Sequence, residues 1–287
     1  VFVERIRPAP DFWSLLLAVA LALVLALPAL AITNGVADGD DHPNVGSIVL
    51  RHDPATSEFP DLPPLLQWCS GTLIDEDVFL TASHCTVDLD FFSTELGFEV
   101  LVTFDEVISE DGTFFTGTWV TNPNYNGFQG KGGASDPGDV AVILLDGSPE
   151  GIAPARLPEA GMLDDLKKSG ELKDTRFTAV GYGTVRDSIR TGFAGILDNL
   201  ARNRSEQGFL SLTKAWLTMP MTEPTGDGGT CFGDSGGPHF IHLDGMETDI
   251  VASITVTGDT VCKATDKTYR MDSESARGFL GEHVELP

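Results

Sequence analysis

Between Phe98 and Phe104 the chain alternates: Phe98, Val100, Val102 and Phe104 fall on one side of an extended backbone, Glu99, Leu101 and Thr103 on the other. A period of two is that of a β-strand, whose successive side chains point to opposite faces. Short apolar, β-branched runs at residues 45–50, 140–145, 176–182 and 249–255 predict further strands. They are separated by clusters such as Asn122-Pro123-Asn124, Lys131-Gly132-Gly133 and Gly226-Asp227-Gly228-Gly229, whose residues favour tight turns. Many short strands between such turns predict an all-β chain folded as a sandwich or barrel. One helix is predicted near the C-terminus, with Ser273 placed to cap it and Ala276, Phe279, Leu280 and Val284 on one face. Gly278 and Gly281 weaken that helix by about 1 kcal/mol each, so it depends on packing. The Pro/Gly-rich stretch 147–161 is the candidate linker between two halves, and no internal repeat is visible.

Residues 1–31 break this pattern. Arg5 and Arg7 precede an apolar run from Phe12 to Leu27, followed by Pro28 and the small-residue tripeptide Ala29-Leu30-Ala31. A charged start, an apolar middle and an Ala-x-Ala end predict a secretory signal peptide cut after Ala31. The alternative is an uncleaved anchor, because the run approaches the shorter limit for spanning a bilayer. On the first reading the protein is secreted, extracellular or periplasmic, and meets a membrane only transiently during export.

The length of 287 residues, with 41% hydrophobic and 21% charged, allows one large domain or two ordinary ones with a filled core. Lys+Arg 18 against Asp+Glu 43 gives a net charge of −25, which repels a phosphate backbone and argues against nucleic-acid partners. Removal of residues 1–31 deletes Arg5, Arg7, Glu4 and Asp11 and leaves that balance unchanged. Four cysteines in an exported chain predict two disulfides, and their spacing leaves all three pairings open.

Three segments carry chemistry. In Gly233-Asp234-Ser235-Gly236-Gly237-Pro238 two glycines after a serine permit a tight turn with nothing shading the hydroxyl. Such a hydroxyl can attack a carbonyl while neighbouring backbone N–H groups face the oxyanion that forms. In Thr81-Ala82-Ser83-His84-Cys85 the imidazole is the natural base for a serine hydroxyl near neutral pH. In Gly138-Asp139-Val140-Ala141-Val142 a carboxylate opens an apolar strand, which suits it to hold an imidazole in one tautomer. Asp136 is a competitor for that role, and Asp139 is preferred because it leads directly into the strand.

These three motifs, in the order His, Asp, Ser, resemble the chymotrypsin-like (trypsin-fold) serine proteases, an order that separates them from subtilisins and α/β-hydrolases. The resemblance extends from Ile32 to the segment 269–280. It implies two six-stranded antiparallel β-barrels with the active site in the cleft between them, and a short C-terminal helix. The N-terminal barrel would span residues 32–158 and contain His84 and Asp139; the C-terminal barrel and helix would span 159–287 and contain Ser235. It implies Ser235 as nucleophile, His84 as base then acid, Asp139 as its orienter, and the N–H groups of Gly233 and Ser235 as oxyanion hole. It also implies the bridges Cys69–Cys85 and Cys231–Cys262. The function implied is that of a secreted serine endopeptidase, expected to be a monomer, acting on protein or peptide substrates without a cofactor or metal. A catalytically silent or narrow-target binding protein on the same fold is the alternative.

In that family a newly cut N-terminus inserts its amine against the Asp before the nucleophile. Ile32-Thr33-Asn34-Gly35 follows Ala31 directly, so cleavage there would expose the Ile32 amine to pair with Asp234. Asn34 departs from the glycine usual at its place. The pocket anchor of the trypsin branch, an Asp six residues before the nucleophile, is replaced by Gly229, with Asp227 nearby but out of register. A floor without charge favours apolar or small residues before the scissile bond. His42, His52, His239, His242 and His283 show no metal-ligand spacing. Glu106, Glu110 and Asp111 read as a solvated acidic loop, and Asn203-Arg204-Ser205 fits a glycosylation acceptor.

Overall fold

The computed structural model describes residues 32–127, 136–186, 196–197 and 199–287. The signal-peptide reading of residues 1–31 and most of the loop 127–137 fall outside the described residues. In the first half lie β1 (Val36–Ala37), β2 (Val45–Arg51), β3 (Leu65–Leu73) and β4 (Val78–Thr81), then the short helices α1 (Ser83–Thr86) and α2 (Leu89–Thr94). β5 (Glu99–Thr103), β6 (Gly117–Thr121) and β7 (Ala141–Leu145) complete it. The second half opens with α3 (Met162–Ser169), β8 (Phe177–Gly181), β9 (Val185–Arg186), β10 (Ile196–Leu197) and β11 (Asn203–Gln207). It continues through β12 (Ser211–Leu212), β13 (Trp216–Pro220), β14 (Pro238–Leu243), β15 (Met246–Gly258), β16 (Thr265–Arg270) and α4 (Glu274–Leu280).

The first sheet has six antiparallel strands in the order β5-β2-β3-β4-β7-β6. Its edges meet where Val102 of β5 and Phe115, just before β6, exchange backbone hydrogen bonds of 2.9 and 2.8 Å. That exchange removes the free edges an open sheet would present, and it decides for a barrel over a sandwich. The second sheet runs β1-β11-β8-β14-β15-β16-β13-β12. Eight strands stand where the resemblance implies six, for two reasons. The stretch 203–212 is broken into β11, which pairs with β8, and β12, which pairs with β13, so one stretch of chain curls the sheet round. β1 comes from the N-terminal segment and adds to the outer edge of β11 through Val36↔Arg204 and Ala37↔Asn203.

Burial explains why these runs became strands. β7 reads Ala-Val-Ile-Leu-Leu and is buried at four of five positions, as a strand packed on both faces must be. The largest apolar cluster joins Val45, Leu80 and Val142 of the first barrel to Phe240, Ile254 and Tyr269 of the second and to Ala276, Phe279 and Leu280 of α4. The Ser273 hydroxyl accepts the Ala276 N–H at 3.2 Å and caps α4, which ends before Val284. The stretch 147–161 is not a free linker: Ala155 N donates to Leu73 O (2.8 Å) and Arg156 N to Asp249 O (2.9 Å), pinning it to both halves. Asn203 is 1% exposed and sits inside β11, its amide donating to Ala201 O, so its side chain is closed to a glycan and the acceptor reading is overturned.

Candidate active site

The histidine is delivered by a single helical turn directly after β4. Ser83 clamps that turn, its hydroxyl donating to Val140 O (2.7 Å) and accepting from Asn122 N (3.2 Å). Cys85 is bonded to Cys69, and the Trp68 indole N–H donates to Cys85 O (2.9 Å), so the turn is tied to β3 from its other side. Asp139 enters from the start of β7 after Gly138, whose φ of 66° suits a residue without Cβ. The carboxylate is fully buried and meets His84 twice: Oδ1 accepts the backbone N–H and Oδ2 faces ring Nδ1, each at 2.9 Å. Two contacts from one residue to one carboxylate fix the ring and place the Nδ1 proton on the bond to Asp139. The charges of Asp139 and Asp88, with burial first, push the Tyr125 phenol up to about 12. The competitor Asp136 is engaged elsewhere, accepting from Tyr269 Oη (2.7 Å) and Gly138 N (3.1 Å).

Ser235 arrives from the second half, on the loop between β13 and β14. β3 of the first barrel holds that loop across the seam. Ser70 N donates to Ser235 O (2.8 Å), while the Ser70 hydroxyl (3.0 Å) and the Gln67 amide (2.9 Å) donate to Gly233 O. Cys85 Sγ lies 3.7 Å from Ser235 O, which sets the serine beside the turn that carries His84. Gly236, at φ 80°, packs so closely on this turn that a Cβ would strike the Thr81 hydroxyl and lie 2.9 Å from Ala82 N. Among the described residues neither Gly233 N nor Ser235 N donates a hydrogen bond. The two sulfurs near His84 are bonded to each other and have no thiolate to offer a metal.

Asp234 is wholly buried, Oδ1 accepting from Gly183 N and Oδ2 from Cys231 N, each at 2.8 Å. Burial, opposed by those two bonds and aided by Asp266, pushes its carboxyl up to about 7. Ile32 is also fully buried. Thr33 exchanges backbone hydrogen bonds with Gly229 (3.1 and 3.0 Å), and its hydroxyl donates to Cys262 O (2.8 Å). Asn34 has a φ of 57°, a conformation that asparagine tolerates better than other side chains, which accounts for it where glycine is usual. Cys231 is bonded to Cys262, tying the serine loop to the segment after β15.

Two antiparallel β-barrels, with a Ser motif from one meeting a His–Asp pair from the other at the seam, define the class of chymotrypsin-like serine proteases. The Trypsin family model matches residues 55–272, and the chain belongs to the trypsin family. A solved structure of HL collagenase is similar in fold, with a TM-score of 0.62 and 17% identity over 89% of this chain and 100% of that one. Membership brings proteins or peptides as the substrate class, and the two disulfides fit an extracellular protein. No helix among the described residues is long and apolar enough to cross a membrane.

Motif reading does not reach Gln67 and Ser70, which hold the serine loop, or the buried Asp266 near Gly229. The first two lie in an ordinary strand, and Asp266 alternates with Thr268 and Arg270, a pattern that reads as an outward polar face but is buried.

Proposed function

We propose that this protein is a secreted serine endopeptidase that works through Ser235, His84 and Asp139 and is activated by exposure of the Ile32 amine. The observation that carries the reading is the double contact of a fully buried Asp139 with His84, next to the loop bearing Ser235. Ser235 Oγ attacks the substrate carbonyl carbon while His84 Nε2 takes its proton. Asp139 keeps the ring in the required tautomer and stabilises the imidazolium. The oxyanion accepts hydrogen bonds from Gly233 N and Ser235 N. His84 then gives its proton to the leaving amine, and water, deprotonated by the same nitrogen, cleaves the acyl ester.

Two features support activation by a cut before Ile32. A peptide-linked isoleucine at φ 57° is strained, at a cost on the order of 1–3 kcal/mol, and a cut removes the carbonyl that imposes that cost. The freed ammonium supplies a buried Asp234 with the counter-charge it lacks as an anion. The Thr33–Gly229 pairing supports the same docking of the segment.

The test is labelling by a fluorophosphonate probe, which acylates an activated serine without needing a substrate side chain. Protein beginning at Ile32 should be labelled on Ser235, the Ser235→Ala variant should not, and protein extended upstream should react at least about tenfold more slowly. Equal rates for trimmed and extended protein would remove the amine from the mechanism. An unlabelled Ser235 in trimmed protein would remove the endopeptidase reading itself.

A further inference from the structure

Where the stretch 147–161 crosses between the two halves, a groove of about 960 Å³ opens, and none of its lining residues belongs to the triad or the serine loop. Its apolar floor is assembled from separate elements: Ile74 after β3, Leu157 of the connecting stretch, Met162 and Leu166 of α3, Leu243 at the end of β14 and Ile250 of β15. Met162 and Leu166 are four residues apart on α3 and so share a face. Both are half-buried, whereas Leu163 beside them is fully buried. The floor is fixed in advance. Arg156 pairs with Ile250, Val251 N donates to Arg156 O (2.9 Å), and Leu163 N donates to Asp272 Oδ2 (2.8 Å) at the start of α3.

The rim is acidic. Glu159, Glu171 and Glu285 line it and are exposed, and none of the three carboxylates has an ion-pair partner among the described residues. Arg156 also lines the groove but is engaged by Asp249, its Nη2 2.5 Å from Oδ1, and Asp165 is paired with Lys168 at 2.8 Å. An apolar floor of this size left open to water marks a contact surface. Three unpaired carboxylates around it select the partner by charge. Lysine and arginine lay their stems along apolar surface while their heads reach outward. A segment that seats leucine-like side chains on the floor therefore brings its cations to these carboxylates. A second copy of the chain fits badly, because it carries −25 itself and would bring the same carboxylates to the same rim. An anionic lipid surface is repelled for the same reason.

We propose that this groove docks a cationic amphipathic segment of a partner protein, held by apolar contacts on the floor and by Glu159, Glu171 and Glu285 at the rim. The rigid floor lowers the ordering cost of binding, which then falls mainly on the incoming segment. Docking there needs no catalysis by Ser235, so the groove's role stands or falls separately from the endopeptidase reading.

The probe is a fluorescent peptide of about 14 leucines and lysines at helical spacing, followed by anisotropy at about 0.15 M salt. Trimmed protein carrying Ser235→Ala serves as the parent, so that the probe is not cut. Binding on the order of 10 µM is expected, and isomers with glutamate for lysine or glutamine for leucine should bind at least about tenfold more weakly. Leu166→Glu separates docking from diffuse attraction, because it adds a negative charge while spoiling the floor. Docking predicts a loss of at least about tenfold, whereas attraction to an acidic surface predicts no loss or a gain. Combining Glu159→Gln, Glu171→Gln and Glu285→Gln changes exposed positions only, so it serves even where Leu166→Glu does not fold. It should also weaken binding about tenfold, although it removes just three of 43 acidic residues. Folded Leu166→Glu or the triple variant binding as tightly as the parent overturns the proposal, as does equal binding of either isomer. A parent that sediments as a dimer, dissociated by Leu166→Glu, assigns the groove to a second copy and overturns it too.

Discussion

Asp139 gives both carboxylate oxygens to His84, and only an acceptor serves at both points. In Asp139→Asn an amide N–H facing Nδ1 would force the proton onto Nε2, the nitrogen proposed to act as base. The expected outcome is a fall in kcat on the order of 10⁴-fold with KM little changed, measured by steady-state kinetics on the preferred substrate. Gly236→Ala acts by a different route, because its Cβ meets the Thr81 hydroxyl and lies 2.5 Å from Ser70 O, at a φ of 80°. The serine loop must shift, so Ser235 labelling should slow more than thermal stability falls; unchanged labelling would contradict the packing described. At this scale the sequence was most legible where chemistry sits in contiguous residues, as around His84, Asp139 and Ser235. Gln67 and Ser70 were not legible, since each acts through a partner far along the chain and no local spacing marks it.

Among the elements, α4 shows how a weak local signal is completed by packing. Its glycines oppose it, whereas Ser273 caps it and Phe279 and Leu280 enter the core shared by both barrels. Ser273→Ala should cost about 1 kcal/mol and lower Tm by about 2–4 °C, read by thermal unfolding. Strands with apolar or alternating runs were legible: residues 45–50 became β2 and 140–145 became β7. The two-residue strands β1 and β12 were not, because their pairing depends on the barrel that receives them. α3 hid for another reason. Leu163 is its only buried residue, so no apolar period marks it, and its charges fit the ends of a helix instead: Asp164 and Asp165 in the first turn, Lys167 and Lys168 in the last.

Across the whole molecule, a buried charge network fastens the N-terminal segment to both halves. Arg202 donates to Asp38 Oδ2 (2.9 Å), Val45 O (3.1 Å) and Phe104 O (2.9 Å). His42 stands between Asp38 (2.5 Å) and Glu247 (2.7 Å), and Glu247 also faces His242 at 3.6 Å. Burial pulls the His42 imidazolium down, but hydrogen bonds to Asp38 and Glu247 outweigh it and lift His42 to about 9. A folded value above the ordinary 6.5 means that this contribution is complete below 6.5 and is lost as pH rises through about 9. Unfolding temperatures should therefore fall between those values in wild type and less so in His42→Gln; parallel curves would rule the network out as a source of stability.

Asp234 has the same sign in protein extended upstream of Ile32: its contribution is complete below 3.8 and gone above about 7. Pairing with a free Ile32 ammonium would hold the carboxyl low and abolish that fall. Thermal unfolding from pH 4 to about 6.5, below the range in which His42 acts, should separate the two forms, the extended one losing more stability. Curves that fall together would detach Asp234 from the new N-terminus.

The central claim is catalysis by Ser235, and cleavage-site mapping tests it most directly. Trimmed wild-type protein and Ser235→Ala would each be incubated with a diverse peptide mixture, and the products sequenced by mass spectrometry. The account predicts internal cuts with wild type and none with the variant. Cuts that persist in Ser235→Ala, or none from wild type with a confirmed Ile32 N-terminus, would contradict it.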